Sequence, residues 1–535
     1  MIERIAFHHN LNNVLPPSQY LAAHPEFYAE RRGVRVRPAS DNDTASWQLC
    51  FTAPGSVDAA AERIKAFFAA HPEVESFSLG VNDSYDHCEC AACTRLNGNR
   101  LNSTQVRHAS ESYYRWCNAV AEKVTAAYPD KRFGLLAYDG VLDPPDSVKL
   151  HPALIPYITV DRYMWLDPAR AAAGLAHQQA WEKQGVTLGY YDYIYGEAYI
   201  VPRLYFHHWQ KVLGDASAHG VKHFYAEAYS SADWAEGPWL YGTLKLLWDP
   251  SADVDALLSD WCQAAVGPAA APALLRYYAN WEKFWTSDAL QSAWFQKPGI
   301  YVYMDFSSRG YLDRLDESVL TAQSALLDEI VAKSNSPQRA GRIKAAFDSR
   351  LAQIQNYLAN RKNLTRRYAP AKIIRADGFS NGIDTWGHWQ RDNSAGVFAA
   401  DARVGHHAPG SLVIRPEGSG KQPMCFYNNF PVVAGKYYEV GVWTRLDHFP
   451  VDGQVMLEVK YQAGDEWLDE TYAVTVPADA ARQDWQELKA YVTPPAISVV
   501  PGKPLTIRIH LRGNNAAAGA VFWDDFRLGE TTVMP

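Results

Sequence analysis

The chain has 535 residues, of which 47% are hydrophobic and 21% are charged. This is the composition of a globular protein, and it excludes a wholly disordered or fibrous chain. Lys and Arg number 51 against 59 Asp and Glu, a formal net charge of −8 without a basic block. We therefore expect no nucleic-acid partner. We expect no membrane partner either, because the sequence has no run of about 18 or more apolar residues.

Aromatic residues make up 13% of the chain, including 18 Trp and 31 Tyr. Such rings stack on sugars, although they also fill protein cores. Seven cysteines are too few for a disulfide scaffold. The N-terminal stretch Met1–Phe7 has neither a long apolar region nor a small-residue cleavage site, so we predict no signal peptide there.

Short β-rich runs alternate with helical patterns in the first half of the chain, which predicts parallel βα units. The predicted strands are Ile2–Phe7, Trp47–Phe51, Glu75–Val81, Phe133–Tyr138, Tyr157–Val160, Thr187–Tyr191 and His223–Ala226, and the helices between them include Val57–Ala70 and Ser112–Tyr128. A closed barrel of this kind needs eight strands. We therefore predict a TIM-like barrel over residues 1–250 that is incomplete at its N-terminus or closed in an unusual way.

Two further regions follow the predicted barrel. Residues 251–370 show apolar positions at helical spacing, which predicts a helical extension packed on the barrel. Residues 371–535 show short alternating runs separated by Gly, Asn and Pro, which predicts an all-β sandwich of the jelly-roll type. The clearest of these runs are Ser411–Arg415, Tyr437–Thr444, Val455–Tyr461, Glu487–Val492, Leu505–Leu511 and Val521–Leu528.

Acidic residues follow several of the predicted barrel strands. A single such residue more often begins a turn or caps a helix. Acids on successive strands instead indicate a site, because a βα-barrel carries its chemistry at the carboxyl ends of its strands. These acids are Asp83, Asp139, Asp161, Asp192 and Glu227.

The acids suggest glycosidic bond cleavage, which needs one carboxylic acid to protonate the leaving oxygen and one carboxylate as base or nucleophile. We predict Asp83 as the acid and Asp192 as the base, with Asp161 assisting the base. Glu227 is a further candidate, either as a base or as an anchor for a sugar hydroxyl. The alternative function is a non-catalytic carbohydrate-binding protein with a degenerate barrel.

Aromatic and polar residues beside these acids are the predicted substrate contacts. Rings would stack on sugar faces, and Arg162 would pair either with a substrate carboxylate or with a neighbouring acid. The predicted contacts are Asn82, His8, His9, Tyr138, Asp139, Arg162, Tyr163, Trp165, Tyr191, Tyr193, Glu197, Tyr229 and Trp234.

Cys88, Cys90 and Cys93 form a C-x-C-x-x-C loop that is able to place three thiolates around one zinc ion. A structural zinc site needs a fourth ligand. The candidates for it are His87, His108 and Cys117. A disulfide within the loop is the alternative if the protein is exported. In both cases the loop would stiffen the segment that carries Asp83.

The stretches His24–Ala29 and Gln48–Thr52, together with Asn82-Asp83 and the cysteine loop, resemble a bacterial domain of unknown function, number 4838. That family occurs in polysaccharide-utilising bacteria and is distantly related to the α-glucuronidase glycoside hydrolases. Tyr241–Pro250 is similar to the end of the α-glucuronidase barrel. The resemblance covers about residues 1–290.

This resemblance implies a TIM-like barrel and an inverting hydrolase that acts on a polysaccharide or oligosaccharide, with uronic acid as one expected component. By position, Asp83 matches the acid, and Asp161 and Asp192 match the bases. In α-glucuronidases the acid is a glutamate, and so is the base at the position of Asp192. Family members usually have two further barrel strands, and the family implies a periplasmic or extracellular location.

The C-terminal region resembles carbohydrate-binding jelly rolls of the family 4 and 9 type, on Asp377–Gly382, Gly435–Tyr438 and Phe522–Leu528. Those modules often hold a structural calcium ion, for which Asp377 and Asp525 are the candidates here. Glycan binding and a purely structural role both stay open for this region. We expect no cofactor for catalysis itself, and a homodimer stays open.

Overall fold

The computed structural model describes residues 4–534 with internal gaps. The residues left out within this range are 32, 45–46, 105, 196–198, 229–236, 293, 297–302, 305, 307, 364–365, 390–397, 417–422, 450–453, 465, 477–482, 495–502 and 515–518. No helix in the described part of the chain is long and apolar enough to cross a membrane.

A parallel five-stranded sheet, curled into a half-barrel, organises the first half of the protein. Its strands lie in sequence order and are β3 (Ser76–Ser78), β4 (Arg132–Ala137), β5 (Leu154–Thr159), β6 (Gly189–Tyr195) and β7 (His223–Ala228). A short hairpin, β1 (Glu30–Arg31) and β2 (Val34–Arg35), precedes them. The predicted strands of β3 to β7 are confirmed in type and order, whereas a complete TIM barrel is not formed by the described residues.

Helices connect and cover these strands. The helices up to β7 are α1 (Leu11–Val14), α2 (Pro17–Tyr20), α3 (Ser56–Ala70), α4 (Ala91–Asn97), α5 (Ser110–Thr125), α6 (Pro168–Glu182) and α7 (Phe206–Ala218). Phe68 of α3 packs on Phe77 and Phe133, and Trp209 of α7 packs on Phe224. We call this side of the sheet the helix-covered face and the opposite side the inner face.

Residues 4–7, the described part of the predicted strand Ile2–Phe7, form no strand and lie on the inner face. The backbone N–H of Ala6 donates to Ser76 Oγ at 2.9 Å, and His9 forms a single parallel bridge with Gly80. A Cβ atom on Gly134 would lie 2.4 Å from the carbonyl oxygen of Ala6, so only glycine admits the segment this closely. The predicted strand Trp47–Phe51 is likewise absent, and Leu49 forms only one bridge.

The helical region after β7 shares a hydrophobic core with the sheet. Its helices are α8 (Trp239–Trp248), α9 (Val254–Val266), α10 (Ala271–Lys283), α11 (Glu317–Lys333) and α12 (Pro337–Asn363). One cluster of buried side chains runs from Ile5 to Leu358. The Tyr163 hydroxyl donates to the carbonyl of Trp285 at 2.7 Å, which ties the end of β5 to the residues after α10. The half-barrel and the helical region therefore form one packed unit.

The C-terminal region consists of two antiparallel sheets around a second core, which confirms the predicted antiparallel architecture. One sheet has the order β10-β11-β18-β13-β16, with β8 also on β18, and the other has the order β15-β14-β17-β12-β9. Their bounds are β8 (Lys372–Asp377), β9 (Gly387–Trp389), β10 (Phe398–Asp401), β11 (Ser411–Ile414), β12 (Met424–Pro431), β13 (Tyr437–Asp447), β14 (Gln454–Ala463), β15 (Glu466–Thr475), β16 (Gln486–Val492), β17 (Leu505–Asn514) and β18 (Ala520–Thr531).

Candidate functional site

Two partly exposed carboxylates lie at the carboxyl end of the half-barrel, and each accepts a hydrogen bond from a tyrosine. The Tyr138 hydroxyl, just past β4, donates to Asp83 Oδ1 at 3.0 Å. The Tyr191 hydroxyl, on β6, donates to Glu227 Oε1 at 2.5 Å. Each tyrosine therefore holds the carboxylate of a neighbouring strand in place. We call this arrangement the inner-face site.

A wall of tyrosines connects the inner-face site with the residues beyond α10. The ring of Tyr191 lies 4.8 Å from Tyr225 and 5.6 Å from Tyr193. Tyr193 in turn lies 5.5 Å from Tyr303. Tyr191, Tyr225 and Tyr303 are partly exposed. Aromatic faces of this kind stack against the C–H groups of sugars.

The N-terminal segment adds two histidines to this surface. His8 is exposed and packs edge-on to Tyr225 at 5.7 Å, while His9 packs on Tyr138 at 5.6 Å and bonds through Nδ1 to the carbonyl of Val81. Burial, followed by the charges of neighbouring His9 and Arg4, lowers the pKa of His8. His8 is therefore neutral at pH 7 and offers hydrogen bonds without a positive charge.

Burial and nearby acids keep two phenols on the inner face protonated. Burial raises the pKa of Tyr193 well above its usual value, and Glu227 and Asp139 raise it further. Burial also raises the pKa of Tyr138, with added contributions from Asp139, Asp83 and Tyr193. Both phenols stay protonated at neutral pH, so Tyr138 donates to Asp83 throughout the physiological range.

Asp192, the predicted base, does not face this site. Side chains alternate between the two faces of a strand, so Tyr191 and Tyr193 point to the inner face and Asp192 points to the helix-covered face. Its Oδ2 atom lies 2.8 Å from Arg162 Nη1, and the side chains are 0% and 1% exposed. Burial raises the pKa of Asp192 to about 6 against the opposing charge of Arg162. The catalytic role predicted for Asp192 is corrected, because its carboxylate is buried in this ion pair. Of the two partners predicted for Arg162, the structure shows the neighbouring acid.

The role predicted for Asp161, which was to assist the base, is corrected because Asp161 also lies in a buried ion pair. Both of its carboxylate oxygens accept hydrogen bonds from Arg203 Nη2, at 2.9 and 2.7 Å. Asp161 also accepts the backbone N–H of Tyr163 and is only 1% exposed. Arg203 was missed by the sequence analysis, because it lies 42 residues away in a stretch without a motif. This buried ion pair joins the loop after β5 to the segment between β6 and α7.

Tyr163 and Trp165 are structural as well. Tyr163 is fully buried and bonds to the carbonyl of Trp285. Trp165 packs directly on Gly174 of α6, where an added Cβ would lie 2.3 Å from the indole Nε1. Neither side chain reaches the inner-face site, so the substrate contacts predicted for them are corrected.

Asn82 positions Asp83 from the buried side of the loop. Gln48 Oε1 accepts the backbone N–H of Asn82 at 3.1 Å, and Gln48 Nε2 donates to the carbonyls of Asn82 and Ser84 at 2.7 and 2.8 Å. Asn82 Nδ2 donates to the carbonyl of Trp47. Asn82 is fully buried, so its predicted substrate contact is corrected to a positioning role.

Asp139 lies at the end of β4 in the left-handed region, with a φ of 47°. It is 5% exposed, and its backbone carbonyl accepts a hydrogen bond from Asn102. Its contact with substrate stays a prediction. The predicted contacts Glu197, Tyr229 and Trp234 lie outside the described residues.

Four buried cysteines meet beside the loop that carries Asp83. Cys88, Cys90 and Cys93 are joined by Cys50, and the four sulfur atoms all lie within 4.8 Å of one another. The seven cysteines of the chain are all free thiols, so the alternative disulfide is not formed. The candidates for the fourth ligand are therefore replaced by Cys50. Those candidates were His87, His108 and Cys117.

The predicted calcium pair, Asp377 and Asp525, is held by N–H donors. Asp377 accepts hydrogen bonds from the backbone of Phe379 and from Trp386 Nε1, both at 3.0 Å. Asp525 Oδ2 faces the imidazoles of His406 and His407, the former at 2.8 Å. Calcium requires six to eight oxygen ligands. These two acids supply only part of such a set, and the calcium site stays a prediction.

Comparison with known proteins identifies one family. The family model described as "Domain of unknown function (DUF4838)" matches residues 1–279. No curated protein matches the chain in sequence.

Several solved structures resemble parts of the chain, all at low similarity. The enzymatically active domain of bacteriophage CBA120 tailspike protein 4 is 12% identical, covers 28% of this chain and 20% of its own, and has a TM-score of 0.22. The CBM22-1 xylan-binding domain of Paenibacillus barcinonensis Xyn10C is 13% identical, covers 31% of this chain and 97% of its own, with a TM-score of 0.22. The CBM22-1-GH10 modules of Clostridium thermocellum xylanase 10B are 16% identical over 29% of this chain and 28% of theirs, with a TM-score of 0.22.

Proposed function

This chain belongs to the DUF4838 family, and we propose that it is a glycoside hydrolase whose active site is the inner-face site. The observation that carries the proposal is the pair of partly exposed carboxylates, Asp83 and Glu227, each bonded to a tyrosine. Glycosidases use two carboxyl groups across the scissile bond. The tyrosine wall beside Glu227 supplies the stacking surface that a sugar ring needs.

In the proposed mechanism Asp83 is the acid and Glu227 replaces the buried Asp192 as the base. Asp83 transfers its proton to the glycosidic oxygen as the bond to the anomeric carbon breaks. Glu227 takes a proton from water, whose oxygen bonds to the anomeric carbon from the opposite face. The Tyr191 hydroxyl donates to the Glu227 carboxylate and so fixes its orientation. Asp83 regains a proton from solvent.

The proposed substrate is a polysaccharide or oligosaccharide fragment. The preference for uronic acid loses its main support from the residues, because Arg162 is occupied by Asp192. The distant relation to α-glucuronidases, proposed from the resemblance alone, keeps uronic acids in the substrate panel. Neutral sugars fit the described site better, since a neutral His8 and protonated phenols bind hydroxyl groups without requiring a charge.

A hydrolysis screen tests the proposal. The full chain would be incubated with aryl glycosides, neutral polysaccharides and glucuronic-acid-containing xylan, and the released sugars would be measured. We expect Asp83→Asn to lose activity on polysaccharides but to keep more of it on aryl glycosides, whose leaving groups need little protonation. Glu227→Gln would lose activity on both and recover part of it with azide as an external nucleophile.

Asp249→Asn is the matched control, because Asp249 is a surface acid that caps a turn at Ser251. It should keep wild-type turnover. If Asp83→Asn and Glu227→Gln both keep wild-type turnover on an accepted substrate, the assignment of the site is wrong.

Carbohydrate binding without hydrolysis is the second candidate function. It is favoured by the burial of Asp161 and Asp192 in ion pairs, which removes two of the predicted catalytic acids. Calorimetric titration with the same oligosaccharides separates the two functions. Binding that depends on Tyr191 and Tyr225, without any product, would support the binding protein.

A further inference from the structure

The four-cysteine cluster has the size of a tetrahedral metal site. Cys50 Sγ lies 3.7 Å from Cys90 Sγ and 3.9 Å from Cys93 Sγ. A zinc ion with four sulfur ligands at about 2.3 Å requires sulfur atoms about 3.8 Å apart. These two separations match that value, and no pair in the cluster exceeds 4.8 Å. Bonded disulfide sulfurs would be only about 2.05 Å apart.

The surroundings of the cluster suit negatively charged sulfur. The backbone N–H of Glu30 donates to Cys88 Sγ at 3.2 Å, and Arg35 Nη1 lies 3.9 Å from the same atom. Thr52 Oγ1 lies 3.2 Å from Cys93 Sγ, within donating distance. Hydrogen bonds of this kind orient metal ligands and moderate their charge. Four thiols gathered for hydrophobic packing alone would not need such donors.

We propose that Cys50, Cys88, Cys90 and Cys93 bind one structural zinc ion. Tetrahedral four-sulfur sites take zinc or iron, and a closed site with four protein ligands is typical of structural zinc. Each bound thiol loses its proton to solvent, and zinc keeps its oxidation state throughout. The zinc proposal does not rest on the proposed hydrolysis, because it is argued from the sulfur separations and the hydrogen-bond donors of the cluster.

The zinc ion would join two separate segments that together position Asp83. Cys50 follows Gln48, which holds the backbone of Asn82 and Ser84 on both sides of Asp83. The other three cysteines lie at the end of the same loop. The zinc ion would thus cross-link two hydrogen-bonded segments, the one that contains Gln48 and Cys50 and the loop that carries Asp83. Its removal should loosen that loop.

Metal content of the full-length wild-type protein, purified without chelators under reducing conditions, is the primary test. We expect about one zinc ion per chain by inductively coupled plasma mass spectrometry. A mercurial reagent that blocks the thiols should release this zinc. In place of zinc, cobalt(II) should give the intense sulfur-to-metal charge-transfer absorption of a tetrahedral thiolate site. Zinc below a tenth of an equivalent, stoichiometric iron, or a disulfide among these cysteines by peptide mapping would each overturn the proposal.

Variants then assign the ligands. Cys50→Ser should lose most of the zinc, and Cys50→His should retain it, because imidazole replaces thiolate in three-cysteine, one-histidine sites. Cys262→Ser is the matched control, since Cys262 is a buried thiol on α9 outside the cluster, and it should keep a full equivalent. Full zinc content in Cys50→Ser would exclude Cys50 as a ligand. If Cys50→Ser is insoluble, the wild-type stoichiometry and Cys50→His still decide the outcome.

The metal analysis and the hydrolysis screen distinguish failure of the zinc proposal from failure of the proposed function. A protein that holds zinc but neither binds nor cleaves any saccharide would leave the zinc site intact and remove the proposed function. Turnover without any zinc would do the reverse.

Discussion

The buried pair of Arg162 and Asp192 offers the sharpest test of the distinction between a structural and a catalytic acid. The guanidinium of Arg162 donates to Asp192 Oδ2 and to the carbonyl of Val160, and it lies 3.3 Å from the ring centre of Tyr190. Removing one member leaves the other as an uncompensated buried charge, which costs about 3–5 kcal/mol in comparable pairs. We therefore expect Asp192→Leu to lower the free energy of unfolding by about that amount, because leucine removes the oxygen atoms that accept from Arg162, and Arg162 has no accessible neutral form.

The partner variant Arg162→Met should behave differently with pH. The pKa of Asp192 is already about 6 in the folded protein, above the value of about 3.9 in an unfolded chain. A raised folded pKa means that stability is greatest at low pH and falls as the pH rises through the folded pKa. In wild type this loss is complete near pH 6. Without Arg162 the pKa rises further, so the variant should keep losing about 1.4 kcal/mol per pH unit above pH 6.

Urea denaturation of both variants and of the double variant Arg162→Met/Asp192→Leu measures these effects. Replacing both charges by apolar groups should recover most of the lost stability. One result would contradict the structural role of Asp192. If Asp192→Leu unfolds within about 0.5 kcal/mol of wild type, which is the range of ordinary surface substitutions, and abolishes turnover, then Asp192 is the base and its structural role is refuted.

Three further predictions concern the segment on the sheet, the β-sandwich and the proposed site. Gly134→Ala should lower stability by about 1–3 kcal/mol in thermal unfolding, because its Cβ would meet backbone at 2.4 Å, whereas Gly214→Ala, with open space on α7, should be neutral or stabilising. Burial opposes ionisation of Glu458, but bonds from a histidine and an arginine outweigh it and lower its pKa to about 2. This carboxylate therefore contributes about 3 kcal/mol to the free energy of unfolding above pH 5, and the contribution is lost as the pH falls toward 2. Glu458→Gln should remove this pH dependence, which unfolding curves at several pH values would measure. Tyr191→Phe should reduce kcat at least about ten-fold with an unchanged fold, since it removes the hydrogen bond to Glu227; equal kcat would contradict the proposed site.

Several features could be predicted from the sequence because they depend on local periodicity. The strands β3 to β7 are short apolar runs separated by helical patterns, and this pattern alone predicts parallel order. The position of Asp83 and Glu227 near strand ends follows from the same pattern. The three cysteines of one loop are likewise visible as a motif.

What a side chain faces was decided by tertiary structure. Asp192 follows Tyr191 directly, yet strand alternation places the two on opposite faces, and only the register between strands determines which face is inside. Arg203 pairs with Asp161 from 42 residues away in the sequence, and Cys50 lies beside Cys93 from 43 residues away. The stretches between these partners carry no spacing signal. The N-terminal segment resembles a strand in sequence but lies over Gly134, because glycine leaves room for a backbone there. Local pattern thus determines which elements form, whereas packing between distant segments determines which charges are buried and which remain open to a ligand.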